Sequence, residues 1–217
     1  MKHDISKLCA DSLRTFSNEE YNVKLKAAHA HELVAAYFGY LSKNAMLADT
    51  NCPISNLAQA KIIVMKPDDF IDQRRKNLRD LPKELPDSYS LGEAVYGPLF
   101  SNEWWDSPYP PFRSLVTAAA YLVENNETYK SAFHLYLSTG NNFEQVLVPE
   151  SFKNNLLLTV YHSTKNSIGE MWCNGKTTIN LPRVAGHIGF GLPEMAVEIW
   201  TGGARRTLES LGVSYEN

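Results

Sequence analysis

The chain has 217 residues, 44% of them hydrophobic and 21% charged, which excludes disordered, collagen-like and coiled-coil classes and leaves one or two packed domains. Its 21 Lys and Arg against 24 Asp and Glu give a formal charge of -3, which excludes a generally basic, histone-like surface. Local basic patches stay compatible with that sum.

Asp4, Lys7, Asp11 and Arg14 interrupt the N-terminus, so no secretory signal is expected. The longest apolar stretches, 33–40 and 115–123, fall far short of the roughly 20 residues that cross a bilayer. A soluble, cytoplasmic protein without membrane contact is the expectation. Cys9, Cys52 and Cys173 are widely spaced, with neither a redox pair nor finger spacing, and read as reduced thiols; no metal and no cofactor are expected.

In chain order, residues 22–38 carry apolar side chains at three- and four-residue steps and read as a helix stopped by Gly39. Ser42 then caps a short second helix ending near Asp49. Lys61 to Met65 has the β-branched content of a buried strand, and Pro67 with Asp68 and Asp69 opens a helix that ends in Arg74, Arg75, Lys76 and Arg79. Six of the eleven prolines lie between Pro82 and Pro111, among many aromatics, which predicts an ordered connection packed on the body with no long regular element. Residues 112–124 read as a helix. Strands are predicted at 131–138, 145–148, 156–163, 170–174, 177–181 and 195–200, with Asn174-Gly175 as a hairpin turn, and 204–211 as a return to helix. The expected class is α+β: a helical N-terminal half and an antiparallel sheet in the C-terminal half, divided as 1–81, 82–111 and 112–217, with the three parts allowed to form one continuous domain.

Ala35 followed four residues later by Gly39 fits the turn of a helix-turn-helix. In that arrangement Lys24, Lys26, Ser42, Lys43 and Asn44 would face nucleic acid, the lysines neutralising phosphate and Ser42 and Asn44 touching bases or backbone. The second helix offers only Lys43 as a cation, fewer than a stand-alone reader carries. A helical hairpin packed on the body is the simpler alternative.

The segment His29-Ala-His31-Glu-Leu-Val-Ala-Ala-Tyr-Phe-Gly-Tyr-Leu-Ser-Lys-Asn-Ala-Met-Leu resembles the short helical motif of glyoxalase-related proteins, over about 30 residues. That motif does not bring with it the metal-binding sheet of glyoxalases. Together with Leu181-Pro-Arg-Val-Ala-Gly-His-Ile-Gly-Phe-Gly and Trp200-Thr-Gly-Gly-Ala-Arg-Arg, the pattern is similar to uncharacterised proteins of bacterial plasmids and integrating elements. The resemblance implies a host-interaction, regulatory or counter-defence setting.

His29 and Glu32, three apart on one helix face, supply half a metal site and more simply bond to the following turn. Tyr161-His162-Ser163-Thr164 resembles the strand-borne Tyr-His-Gly-Thr of some ADP-ribosyltransferases, but Ser163 replaces the glycine and Glu194 or Glu198 would have to serve as the acid; His162 is expected on a solvated strand face. Gly175-Lys176-Thr177 ends like a phosphate loop, but Glu170 stands where its first glycine is required. Arg183, His187, Arg205 and Arg206, set among glycines, form the richer constellation for an anionic ligand or partner. Arg74 and Arg75 form a second basic cluster, and Trp104 with Trp105 a partner-binding patch. The overall expectation is an accessory protein of a mobile element that binds a protein partner or nucleic acid, with self-association as a further option; the alternative is a hydrolase or transferase acting on a phosphate-bearing ligand.

Overall fold

The computed structural model describes residues 4–101, 105, 107–138, 143–165, 167 and 169–213. It is α+β, with seven helices and seven strands among these residues, and every strand pair is antiparallel. Two compact units divide the chain: unit 1 comprises 1–114 and 183–192, and unit 2 comprises 115–182 and 193–217.

Unit 1 begins with α1 (Ile5–Tyr21). Asp4 caps it by accepting from the Lys7 N–H, and Cys9, Ala10, Leu13 and Ser17 recur on its buried side. Asn22 takes the left-handed conformation and ends it, so the helix expected over 22–38 starts only at Ala27. The correction has a local cause: Val23 and Leu25 are buried from an extended link. Then follow α2 (Ala27–Tyr37), α3 (Lys43–Ala48), β1 (Ile62–Ile63) and α4 (Asp68–Asn77), as the patterns predict.

The Pro-rich connection is corrected more sharply, because a 14-residue helix, α5 (Ser88–Ser101), runs through it. Asp87 accepts from the Ser90 N–H and hydroxyl, and Leu91, Val95 and Leu99 are buried at four-residue spacing, enough to override Gly92, Gly97 and Pro98. Residues from α1 through α5 share one core with Ala185 and Ile188.

Unit 2 opens with α6 (Leu115–Glu124) and α7 (Glu127–Ser138). The second covers the strand expected at 131–138: Asn126 accepts from the Tyr129 N–H as a cap, and Tyr129 and Phe133, one turn apart, are both buried. The meander β2 (Phe143–Ser151), β3 (Asn155–Lys165) and β4 (Met171–Ala185) follows, and β6 (Glu194–Ile199) and β7 (Arg206–Thr207) pair with β4. The last residues of β4 belong to unit 1, where they pair with β5 (Gly189–Phe190), which in turn pairs with β1.

Asn174-Gly175 is therefore not a hairpin turn. It lies inside β4, where the register with β3 skips a residue between His162 and Ser163. Gly175 has φ +155°, and a Cβ there would stand 2.1 Å from the Glu198 carbonyl oxygen, so the glycine lets β6 approach. The helix expected at 204–211 is also replaced, by two short 3-10 turns on either side of β7.

Candidate functional site

The first candidate surface is the α2–α3 hairpin. Gly39 turns the chain with φ +88°, its N–H reaching the Ala36 carbonyl at 2.8 Å while the Tyr40 N–H reaches Ala35. Ser42 accepts from the Ala45 N–H at 3.0 Å and starts α3, and Glu32 accepts from the Lys43 N–H while pairing with Arg74. The Glu32 carboxylate thus fixes the turn as expected, whereas the buried Nδ1 of His29, expected to share that role, has no hydrogen-bond partner among the described residues. Arg75 donates to the Leu85 carbonyl and the Ser88 hydroxyl, so Arg74 and Arg75 brace unit 1 from within. Lys24, Lys26 and Asn44 are exposed, and Ser42 and Lys43 are half-buried. Leu41 and Leu47 are 75% and 65% exposed, the two highest values among the described large apolar side chains.

Behind this turn lies a polar knot. Asp49 accepts from the Tyr40 hydroxyl at 2.7 Å, from the Asn51 and Cys52 N–H groups at 3.1 Å, and from Arg183 at 3.3 Å. Burial raises its carboxyl, but these bonds outweigh that effect and hold it below the usual range. Arg183 also donates to the Gly186 carbonyl at 2.9 and 2.7 Å. The His187 ring meets Tyr40 edge-on at 4.9 Å, and burial, followed by Arg183 and Lys66, pushes its imidazole down to about 4. A Cβ on Gly39 would fall 2.5 Å from the His187 Cβ and 2.6 Å from the Lys66 Cε, so only glycine admits this junction. Arg183 and His187 come together as expected; exposed Arg205 and Arg206 belong to unit 2 instead.

Lys66 links the knot to an open cleft of about 240 Å³, lined also by Tyr37, Asp68, Tyr89, Gly92, Tyr96 and Arg113. Burial and then the Arg183 charge lower the Lys66 ammonium from its usual value. Burial and then Asp72 raise the Asp68 carboxyl. Arg113 lies 4.6 Å above the Tyr89 ring and pairs with Glu93. No sequence motif marks this cleft, because Lys66, Tyr89 and Arg113 are separated along the chain.

Unit 2 corrects His162, which is fully buried rather than solvated. Its Nε2 lies 2.7 Å from the Thr177 hydroxyl, and its ring is 4.8 Å from both Tyr129 and Phe133. Burial pushes it down to about 4. Trp105 is half-buried and donates to the Ala60 carbonyl at 2.8 Å, while Trp104 lies outside the described residues. Glu194 accepts from Asn180, and Glu198 pairs with Lys176. Cys9, Cys52 and Cys173 are free and buried. Among the described residues, no group of three His, Cys, Asp or Glu is placed to hold a metal, and no helix is long and apolar enough to cross a membrane.

Comparison with protein-family models, with curated proteins and with solved structures gives no match.

Proposed function

We propose that this protein acts by binding a macromolecule, and that the partner is a protein received on the α2–α3 hairpin. The observation that carries this reading is the exposure of Leu41, in the turn before α3, and Leu47, near the end of α3, on either side of Lys43 and Asn44. At six residues α3 extends about 9 Å, and Lys43, its only cation, has its amide held by Glu32. Nucleic-acid affinity rests mainly on clustered cations, which favours a protein partner over a duplex. The resemblance to proteins of plasmids and integrating elements gives the proposal its setting, a regulatory or counter-defence role.

Affinity capture from the source cells, with and without nuclease, tests it. The wild type should retain a protein after nuclease treatment, and Leu41→Asp/Leu47→Asp should lose it. Retention only without nuclease would favour nucleic acid, and equal retention by the variant would discard the hairpin. A second reading, a hydrolase or transferase acting on a phosphate-bearing ligand, is favoured by the grouping of Arg183, His187 and Lys66 around Gly39. Turnover of a generic phosphoester by the wild type and its loss in His187→Ala would support that alternative.

A further inference from the structure

Tyr37 and Tyr96 set the character of the cleft through the direction of their hydroxyls. The Tyr37 hydroxyl donates to the Ser88 carbonyl at 2.5 Å, and the Tyr96 hydroxyl donates to the Tyr37 carbonyl at 2.6 Å. Both phenols are satisfied within the protein, and with Tyr37 1% and Tyr96 2% exposed the two rings close the inner wall of the cleft and leave Tyr89, 57% exposed, as its open ring. Tyr89 adds a third ring, one face of which meets Arg113. Gly92 keeps the floor open, since a Cβ there would stand 3.4 Å from the Tyr37 Cε1.

The charges are unequally paired. The lining holds Lys66 and Arg113 against Asp68, and Glu93 pairs with Arg113, so the formal charges balance while one ammonium, that of Lys66, has no ion pair among the described residues. Lys66 is also half-buried, so its ammonium is poorly hydrated and gains from a carboxylate that enters the cleft. The volume of about 240 Å³ equals roughly eight waters at about 30 Å³ each, below the roughly 300–1,000 Å³ of pockets for drug-sized ligands.

We infer that this cleft is a binding site for a small planar organic carboxylate, its anionic group on Lys66 and its flat body against the Tyr89 ring. One ammonium without an ion pair suits a monoanion better than a phosphate dianion. Asp68 stands at the same cleft as a restraint on anion binding, and it disfavours a second negative charge most. The inference is independent of the hairpin reading, because Leu41 and Leu47, which carry that reading, do not line the cleft.

Benzoate is the probe, with benzamide, cyclohexanecarboxylate, inorganic phosphate and phenyl phosphate as comparisons, followed by chemical-shift titration of the full chain. Saturable benzoate binding centred on Tyr37, Tyr89 and Lys66 is expected, at least tenfold tighter than binding of benzamide or inorganic phosphate and tighter than that of cyclohexanecarboxylate. Lys66→Met should weaken benzoate at least tenfold with an unchanged near-ultraviolet dichroism spectrum. Should that variant not fold, Gly92→Leu supplies the second arm by filling the floor, and it should abolish binding. Absence of saturation, shifts elsewhere, equal binding of benzamide, unchanged affinity in a folded Lys66 variant or in Gly92→Leu, or tighter binding of phenyl phosphate would each overturn the inference.

Discussion

Acid should weaken unit 2 through His162, and the size of the effect follows from its burial. The imidazole is fully enclosed by Tyr129, Phe133 and Thr177, and its value falls to about 4 in the fold against about 6.5 when exposed. A folded-state value below the unfolded one means that the unfolded chain takes up the proton first. Stability conferred by neutral His162 is therefore fully present above about pH 6.5, declines as the pH falls toward 4, and levels off below that. At about pH 4.5 the linkage amounts to roughly 2–3 kcal/mol relative to neutral pH, a large share of the stability of a typical domain. Urea unfolding followed by unit 2 amide signals, at about pH 7.5 and about pH 4.5, measures it. His162→Gln removes the titration while keeping a group able to bond Thr177, so the variant should lose roughly 2–3 kcal/mol less than the wild type over this interval. Parallel pH dependence in the two proteins, or a His162 ring signal that titrates near 6.5 in the folded state, would refute the reasoning.

Gly39→Ala places a methyl 2.5 Å from the His187 Cβ at φ +88° and should cost about 2–4 kcal/mol, read as a lowered urea midpoint for unit 1. Arg183→Met removes the ion pair to Asp49 and two bonds to the Gly186 carbonyl, which should cost about 2–3 kcal/mol and speed hydrogen exchange of the Gly186 amide, bonded to the Cys52 carbonyl. Gly92→Ala should raise the stability of unit 1 by about 0.5–1 kcal/mol, because alanine suits the interior of α5 and its Cβ meets Tyr37 at an ordinary 3.4 Å; a lower melting temperature would contradict this.

Local chemistry made part of this fold legible. Ser42 before α3, Pro67 with two aspartates before α4, and the β-branched pair of β1 each specify their element with nearby residues. The errors arose where local cues were mixed or misleading. Proline density hid α5, although the Asp87 cap and the Leu91, Val95 and Leu99 spacing were present in the sequence. Residues 131–138 alternate enough to read as a strand, and the helix is decided by the Asn126 cap and by burial of Tyr129 and Phe133 on one side. Asn-Gly favours a tight turn in isolation, but here β4 continues because Gly175 accommodates the Glu198 carbonyl.

What the sequence determined by itself was the α+β class, the hairpin around Gly39, and an ordinary globular composition with three widely spaced cysteines. Which charged residues remain available was decided only by the tertiary structure. Arg74, Arg75 and Arg183 looked like open cations in the sequence, yet they lie beside Glu32, Ser88 and Asp49, partners 42, 13 and 134 residues away. Lys66 looked unremarkable, yet it stands half-buried in a tyrosine-lined cleft. The reason is physical: helix caps and hydrophobic periods act over a few residues, whereas the desolvation and pairing of a charge depend on whichever distant segments the fold packs around it.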